Sequence, residues 1–429
     1  MRRDWRSMMS LGNSATMYSR AWYGDEELAL TFPEGWKVRT LAPRDAPEIS
    51  ETGIEIAFSQ PIGTPRIADM ARGKKSVAII VDDLSRPTPA ARVIPFLLRE
   101  LSQAGIPKSE IRFVVGVGSH RPLTDAEIAK KVGPEVASEY EVTNHDFMSG
   151  DLRALGNLPS GTPICINRVV ADADLKVCIG GIYPHGSAGF GGGAKLIVPG
   201  VSGFATIFYF HRCYPLRGYA VIENHGETPD HRDICEQAAQ VLGLNAIVNV
   251  VVNSKREIAG VFVGDFVKAH RVGARFAAET YGTKIPAEVG KETALLVRNC
   301  YPFDSDAIQV AKAFWALPHI NHTYAIAISP ASDGICYHGI HEGMDYARFL
   351  KQKTNPEPMV SSFPQIGAQD RKLIWSENFP ADAFHKMHPD AILFREWDTL
   401  ITMLSERLPR NAQVAVFPCA GIQTLAEGE

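Results

Sequence analysis

Short apolar runs rich in β-branched residues alternate with amphipathic segments along the chain, and this alternation constrains the fold most strongly. Stretches such as 95–104 have the apolar period of a helix. The runs typical of buried strands are 75–81, 112–117, 174–179 and 247–252. Strands that alternate with helices form mostly parallel sheets, so the sequence predicts an α/β fold. Two short strands are also expected within 22–39, and a helix over 57–72.

The alternation stops and restarts near residue 285. A predicted helix over 266–281 is followed by a break at 282–286, and new strand-like runs then appear at 293–298, 324–328 and 413–417. The 429 residues are enough for two domains that each bury a core. We therefore predict two α/β domains with mostly parallel sheets: residues 1–285, with 1–16 as a flexible extension, and residues 286–429.

Composition disfavours several classes of protein. The formal net charge of -4 argues against a dedicated nucleic-acid binder, which needs clustered Lys and Arg. No run of about 18 apolar residues predicts a membrane span, and the basic start lacks the apolar stretch of a signal peptide. The seven cysteines are scattered and form no C-x-x-C pair, which favours reduced thiols in the cytoplasm.

Three polar clusters follow predicted strands at their carboxyl ends. Asp83 and Arg86 come after the first strand, His120 after the second, and a glycine-rich stretch over 180–200 after the third. Ligands of open parallel sheets bind at these ends, so we expect the clusters to converge on one crevice. Each cluster also has an ordinary structural interpretation: a salt bridge in a turn, a local hydrogen bond at a helix start, or a surface loop.

The glycine-rich stretch is the strongest of these signals. Nine of the 36 glycines lie within 180–203, and Gly191, Gly192 and Gly193 stand just before Lys195. Backbone without side chains can approach a ligand closely, and successive N–H groups can hold an anion. The spacing nevertheless fails the Walker and dinucleotide patterns, and the sequence has no zinc-helix or nucleophile-elbow motif. Kinase, nicotinamide-dehydrogenase and serine-hydrolase functions are therefore disfavoured.

Two further groups of polar residues have apolar neighbours. His211 follows three aromatic residues on a predicted helix, and is either a packed core residue or a ligand for nickel, zinc or copper. Gln309 and Lys312 are three residues apart, which places them on one helix face where they could together hold a carboxylate. The alternative for this pair is a solvated helix face.

Taken together, these residues resemble the lactate racemase family, whose members use a nickel-pincer nucleotide. The resemblance runs from about residue 75 to 320, and the most specific element is the block PHGSAGFGGGAKLIVPG. The other elements are the spaced residues His120, His185, Lys195 and His211 and the pairs Asp83/Arg86 and Gln309/Lys312. The resemblance implies a two-domain protein with its active site between the domains.

The resemblance also implies a role for each residue. Lys195 would be joined covalently to the nucleotide through a thioamide, and His211 would bind the nickel. His120 and His185 would be the acid/base pair. The other implied cofactor contacts are Asp83, Arg86, Gly191, Gly192 and Gly193, and the implied substrate contacts are Arg86, Gln309 and Lys312.

The implied reaction inverts C2 of a 2-hydroxy acid. The C2–H bond is too weakly acidic for an imidazole to deprotonate, so hydride passes to the cofactor while a histidine takes the hydroxyl proton. Ile308 stands where lactate-specific members carry tyrosine, which favours a sugar acid over lactate or another short 2-hydroxy acid. Four histidines of the second domain are either part of a pocket for such a substrate or surface-loop residues: His319, His322, His338 and His341.

Two other classes of protein are open at this point. A non-catalytic nickel-nucleotide-binding protein would keep Lys195 and His211, but it would not need both His120 and His185. A nucleotide-phosphate-binding enzyme without nickel would have no use for His211. The expected partners are a small 2-hydroxy acid and the proteins that make the cofactor, with no nucleic acid and no membrane.

Overall fold

A computed structural model of the chain describes residues 13–186, 188–213, 231–289, 293–315, 320–334, 371–382, 384, 388 and 391–426. The chain divides into two compact units, each with its own core. We call Ala46–Asn253 and Glu257–Ala278 the inserted unit. We call Met1–Asp45, Ser254–Arg256 and Glu279–Glu429 the outer unit.

The inserted unit is built on a six-stranded sheet. Its strands, in spatial order, are Ile258–Gly264, Ala246–Val252, Leu175–Gly181, Val77–Val81, Ile111–Val115 and Glu141–Asn144. All neighbouring pairs are parallel except the first, in which Ile258–Gly264 runs antiparallel to Ala246–Val252. Two short antiparallel hairpins accompany the sheet: Leu152–Asn157 with Pro163–Asn167, and Pro184–His185 with Gly189–Phe190.

Helices cover both faces of this sheet, as the apolar strand runs require. The strand Val77–Val81 is buried at every residue, and its alternate side chains Ala78 and Ile80 share one core with the helix His231–Leu242. The other α-helices that begin in this unit are Glu51–Ser59, Ile67–Ala71, Ala90–Gln103, Asp125–Val132, Pro134–Glu139, Arg168–Asp172, Phe204–Arg212 and Lys268–Tyr281. Two 3₁₀ helices are Lys108–Glu110 and Gly193–Leu196.

The outer unit has its own six-stranded, wholly parallel sheet. Its strands, in spatial order, are Ala391–Phe394, Arg371–Trp375, Tyr324–Ile328, Leu295–Asn299, Gln413–Phe417 and Lys37–Thr40. The remaining elements are the hairpin Ser14–Ser19 with Glu26–Thr31, the short parallel pair Gly282–Thr283 with Thr424–Leu425, the 3₁₀ helix Ala307–Ala311, and the helices Lys312–Trp315 and Trp397–Ser405. The two mostly parallel sheets confirm the predicted α/β class.

The structural division differs from the predicted one at the start of the chain. Residues 1–45 group with the outer unit and not with the residues that follow them. The reason is a long-range pairing: Lys37–Thr40 joins the outer sheet in parallel with Gln413–Phe417. Local sequence patterns carry no information about a strand partner so far along the chain. Residues 14–16, expected in the flexible extension, are also part of the strand Ser14–Ser19.

Two expected elements also differ in detail. The helix expected over 57–72 is two helices, Glu51–Ser59 and Ile67–Ala71, because Pro65 and the positive φ of Gly63 (77°) interrupt it. The two strands expected within 22–39 are present, but they do not pair with each other. Among the residues that the structure describes, no helix combines the length and apolar character needed to cross a membrane.

A buried carboxylate ties the N-terminal hairpin into the outer unit. The oxygens of Asp304 accept hydrogen bonds from the backbone N–H groups of Arg20 at 2.7 Å and Ala21 at 3.0 Å, and from the Ser19 hydroxyl at 3.1 Å. Burial raises the pKa of Asp304 to about 6, although these three donors favour its charged form. Arg20 has a positive φ of 60°, so the carboxylate holds a backbone conformation that is unfavourable by itself.

We expect Asp304→Ala to lower the free energy of unfolding of the outer unit by about 1–3 kcal/mol, because two backbone donors lose their acceptor. Urea denaturation followed by tryptophan fluorescence measures this unit selectively, since all six tryptophans belong to it. Glu34→Ala, which removes an exposed carboxylate in the turn after the hairpin, is the matched control. Equal transition midpoints for the two variants would contradict the assigned role.

Candidate active site

The three polar clusters of the inserted unit lie at the ends of adjacent strands. Val77–Val81 is the middle strand of the three, with Ile111–Val115 on one side and Leu175–Gly181 on the other. All three strands run in the same direction, so their carboxyl ends share one edge of the sheet. The residues after these strands are therefore neighbours in space although up to about 100 positions separate them.

Asp83 and His120 form a hydrogen-bonded pair at this edge. The Nδ1 of His120 lies 2.5 Å from Oδ2 of Asp83, and the other carboxylate oxygen accepts from the Ser85 hydroxyl at 2.5 Å. Burial by itself would raise the pKa of Asp83, but His120, Arg86 and Ser85 together hold it below its usual range. Asp83 is therefore a carboxylate that fixes the neutral His120 ring with its proton on Nδ1, so Nε2 is the unprotonated ring nitrogen.

His185 has the opposite arrangement. It lies on the short hairpin Pro184–His185 with Gly189–Phe190, where the backbone N–H of Ala188 donates to Nδ1 at 3.3 Å. An imidazole that accepts at Nδ1 carries its proton on Nε2 when it is neutral. In their neutral forms, His120 therefore carries its proton on Nδ1 and His185 carries its proton on Nε2.

The glycine-rich segment packs against its own unit. The φ values of Gly192 (73°) and Gly193 (58°) are positive, and a Cβ atom at either residue would come within 3.0 Å of Gly181 or His270. The N–H of Gly191 donates to the Tyr183 carbonyl at 2.7 Å. The N–H of Gly193 likewise donates to the side chain of Asn249 at 2.9 Å. The expectation that successive N–H groups here hold an anion is therefore wrong for these two groups, because both already have protein acceptors.

The buried side chains of Arg232 and His270 donate hydrogen bonds to backbone carbonyl groups of the same segment. The Arg232 guanidinium donates to Gly192 at 3.1 Å and to the carbonyl of Phe190. The Nε2 of His270 donates to Gly191 at 2.9 Å, and burial holds the pKa of His270 far below its usual value. The segment that leads into Lys195 is thus held in one conformation.

Lys195 is a half-buried lysine at the end of this segment. Its Nζ lies 5.2 Å from the ring centroid of Phe210. Burial lowers the pKa of Lys195 to about 7, and the positive charges of Arg86 and Arg232 act in the same direction. The lowered pKa favours the uncharged, nucleophilic form of the amine compared with an ordinary lysine.

His211 is the next-to-last residue of the helix Phe204–Arg212. Its Nδ1 lies 2.8 Å from the carbonyl oxygen of Ile207, which can only accept, so the proton is on Nδ1. The side chain is exposed, yet the protein around it lowers the pKa of His211 to about 3, mainly by desolvation and further through Lys195 and His120. The lowered pKa favours the neutral ring, in which Nε2 carries no proton and is the nitrogen that could bind a metal ion.

The predicted residues of the outer unit lie at a buried helical turn. Gln309 belongs to the 3₁₀ helix Ala307–Ala311, and Lys312 begins the helix Lys312–Trp315. Lys312 directly follows the 3₁₀ helix, and residues three apart in such a turn lie on the same side, in keeping with the predicted shared face. Both side chains are buried, which contradicts the alternative of a solvated face. The ammonium of Lys312 lies 4.2 Å from the ring centroid of Phe303, a cation–π contact.

The residues expected to influence the choice of substrate are described only in part. Ile308 is buried beside Gln309. The Nδ1 of His322 lies 2.5 Å from the carbonyl oxygen of Ile320, so this ring is anchored locally. The other three histidines lie outside the described residues: His319, His338 and His341.

The structure links most of the predicted residues of the inserted unit. Asp83 and His120 share a hydrogen bond, and the charges of Arg86, His120 and Lys195 influence the pKa values of Asp83, Lys195 or His211. Sequence reasoning missed three buried polar residues that support them: Lys131, Arg232 and His270. Only Lys131 had a usable signal, because it follows Ile128 by three residues and lies on the apolar side of its helix.

Comparisons with known proteins find relatives that cover most of the chain. Residues 23–218 match the family model described as the lactate racemase N-terminal domain. The chain is 31% identical over 381 residues to the lactate racemase of Lactiplantibacillus plantarum, covering 85% of this chain and 88% of that protein. It is also 31% identical over 359 residues to the lactate racemase of Thermoanaerobacterium thermosaccharolyticum, covering 81% of each chain.

Solved structures share the fold. The lactate racemase apoprotein from Thermoanaerobacterium thermosaccharolyticum superposes with a TM-score of 0.71 at 24% identity, covering 96% of this chain and all (100%) of that one. A protein from Thermotoga maritima superposes with a TM-score of 0.65 at 17% identity, covering 88% of this chain and 98% of that one.

Acetic anhydride is an uncharged reagent that acylates free amines. We expect its reaction with Lys195 to be half-maximal near pH 7, because the pKa of Lys195 is lowered to about 7. An ordinary lysine reacts in this way only near pH 10. Peptide mass spectrometry after brief labelling at a series of pH values measures the midpoint, with the exposed Lys75 as the internal reference. Arg86→Met should raise the midpoint for Lys195 and leave that for Lys75 unchanged. A midpoint near pH 10 in the unsubstituted protein would show that the amine is not activated.

Proposed function

Because the chain belongs to the lactate racemase family, we propose that it inverts C2 of a 2-hydroxy acid by reversible hydride transfer to a nickel-pincer nucleotide. The relatives at 31% identity are both lactate racemases, so the enzyme is an isomerase of the racemase type. The observation that carries the finer proposal is the complementary state of the two imidazoles, with Nε2 as an acceptor on His120 and as a donor on His185. A racemase needs such a pair because the hydroxyl proton must be removed on one face and returned on the other.

The residues of the inserted unit fit the cofactor that family membership suggests. Nickel takes imidazole nitrogen as a ligand, and His211 offers a neutral ring with its Nε2 lone pair available. Covalent attachment needs an uncharged amine, which Lys195 offers at neutral pH. Arg86 and Arg232 add positive charge near Lys195 that suits an anionic nucleotide. We therefore propose that Lys195 holds the nucleotide covalently and that His211 binds its nickel.

The other proposed cofactor contacts act through shape and charge. Gly191, Gly192 and Gly193 set the conformation of the segment before Lys195, and so direct its amine. Asp83 contributes to the proposed cofactor site indirectly, because its carboxylate orients the ring of His120.

The mechanism follows from the hydrogen bonds of the two histidines. When bound, the nickel nucleotide supplies an acceptor for the hydride that leaves C2. His120 takes the hydroxyl proton at Nε2, and the buried Asp83 carboxylate stabilises the imidazolium that forms. The substrate is then a planar 2-keto acid, which can receive hydride and proton again on its opposite face. On that face His185 gives its Nε2 proton to the oxygen, and the reverse reaction exchanges the two roles.

The substrate carboxylate needs cationic and amide donors that hold it during inversion. We propose Arg86, Gln309 and Lys312 for this role, since a guanidinium, an amide and an ammonium are strong donors to a carboxylate. Gln309 and Lys312 share one buried turn, which restricts their side-chain motion. A 2-keto acid held in this way stays bound until hydride returns.

We further propose a sugar acid as the substrate. The support is Ile308, which is buried and neither carries a hydroxyl group nor fills the volume of the tyrosine found in lactate-specific members. A polar substrate chain longer than that of lactate would use the room that this exchange leaves. The proposal also includes the proteins that make the nucleotide as partners, and a cytoplasmic location, which suits the free thiols of the six described cysteines.

We expect His120→Gln and His185→Gln each to lower kcat by about 100- to 10,000-fold, the usual contribution of a positioned acid or base. The enzyme is produced together with the cofactor-making proteins, and its loading is checked by intact mass and nickel content. Turnover of substrate carrying deuterium at C2 should retain the label in the product. His388→Gln, a histidine of the outer unit whose ring packs against Phe379 and which has no proposed role, is the matched control and should keep most of the activity. A chain that acquires neither adduct nor nickel, or a product whose deuterium exchanges with solvent, would refute the proposed reaction.

For the substrate, we expect the loaded enzyme to turn over aldonic acids faster than lactate in a panel of 2-hydroxy acids. Ile308→Tyr should shift the ratio of kcat/KM values towards lactate, because the larger ring fills the space of the longer substrate. Ile308→Leu conserves volume and should leave that ratio unchanged. Thermal melting of both variants tests whether the buried site accepts the tyrosine. Faster turnover of lactate than of every aldonic acid would rule out a sugar acid.

A further inference from the structure

The inserted unit contains a buried ammonium group that the proposed mechanism does not use. Lys131 lies in the helix Asp125–Val132, and its side chain has 0% exposure. Its Nζ is 2.5 Å from Oδ1 of Asp82, so the two form a buried ion pair. The other oxygen of Asp82 accepts from the Thr88 hydroxyl at 2.6 Å. Both partners of the pair are thus attached to the loop that follows the strand Val77–Val81.

The same ammonium also binds the backbone of that loop. Lys131 Nζ donates to the carbonyl oxygens of Asp83 at 3.0 Å, Arg86 at 3.2 Å and Thr88 at 3.1 Å. Four oxygens therefore surround one cation at the centre of the loop. Two of the three carbonyl groups belong to residues of the proposed active site, Asp83 and Arg86.

A buried charge of this kind is costly compared with an apolar side chain of the same size. Removing an ammonium group from water is energetically costly, and the attraction within a buried ion pair seldom offsets this cost. What the arrangement does supply is geometry, since a cation bonded to several carbonyl groups permits few conformations of the loop that carries them.

The helix that carries Lys131 is also attached to the His120 side of the pair. Arg121 follows His120 directly, and its guanidinium makes a two-point contact with Glu127 of this helix at 2.6 and 2.9 Å. Glu127 also accepts from the backbone N–H of Thr124, the cap of the helix, at 2.8 Å. The pKa of Glu127 falls to about 2 because Arg121 and Thr124 bind its charged form. One helix is therefore fastened to both strand ends that supply Asp83 and His120.

We propose that Lys131 is a positioning residue that holds Asp83 and Arg86 in register with His120. The inference rests on the proposed function, which gives the hydrogen-bonded pair of Asp83 and His120 its role in catalysis. The geometric part, that Lys131 maintains the hydrogen bond between Asp83 and His120, stands independently of the reaction.

The test is the Nδ1 proton resonance of His120 in the full-length protein without cofactor, labelled with ¹⁵N-histidine. A proton shared with a carboxylate over 2.5 Å is expected far downfield, and its loss in His120→Gln assigns it. We expect Lys131→Met to remove or broaden this resonance. The matched reference is the buried ring of His145, whose Nε2 donates to the Ser202 carbonyl at 2.8 Å in the same unit. Its resonance should persist.

A second variant covers the outcome in which Lys131→Met does not fold. Asp82→Asn combined with Lys131→Met removes both charges, which avoids an unpaired buried carboxylate. Folding is judged by the His145 resonance and by thermal melting. With the fold intact, the His120 resonance should again be lost. Its persistence in a folded variant that lacks Lys131 would overturn the proposal.

Kinetics of the cofactor-loaded enzyme separate positioning from general destabilisation. We expect Lys131→Met to lower kcat about 100-fold, as a displacement of about 1 Å can do. In an Asp83→Asn background the same substitution should have little further effect, because both changes act on one hydrogen bond. Multiplicative effects of the two substitutions would refute action through Asp83. If the resonance changes as expected but no 2-hydroxy acid is turned over, the proposed function fails and the positioning role remains.

Discussion

The order of three neighbouring parallel strands decides where the chemistry of this chain can take place. Leu175–Gly181, Val77–Val81 and Ile111–Val115 lie side by side, and each ends in a polar segment at the same edge. The first two strands are buried at every residue and the third at all but Arg112, so the hydrophobic core fixes their positions and therefore the positions of the segments that follow them. The hydrogen bond between Asp83 and His120 is a direct consequence, because its two residues follow adjacent strands.

Much of this arrangement could be predicted from the sequence because its causes are local. Apolar β-branched runs mark the strands, and glycine and histidine at their ends mark the polar edge. Tertiary causes escaped prediction. The pairing of Lys37–Thr40 with Gln413–Phe417 depends on residues far along the chain, and the partners of Lys131 become neighbours only when the fold closes. The anion-holding role expected of the glycine N–H groups is wrong for Gly191 and Gly193 for the same reason, since Tyr183 and Asn249 supply their acceptors.

Charge is distributed unevenly around the candidate site. Arg86, Lys195 and Arg232 bring positive potential to the end of the glycine-rich segment, and the pKa values of His211 and His270 are both lowered, which favours neutral rings. An imidazolium in either place would repel the same cations. The surroundings therefore favour an anionic ligand and, at the same time, preserve the nitrogen lone pair that a metal ion requires.

The route of the chain through its two sheets has a consequence for the way the protein is made. The outer sheet contains both the early strand Lys37–Thr40 and the late strand Gln413–Phe417, and the whole inserted unit is synthesised between them. During translation the inserted unit can complete its core first, while the early strand stays unpaired until its partner strand has been synthesised. Throughout that interval an unpaired strand edge is exposed, so this segment is where a nascent chain would depend most on chaperones.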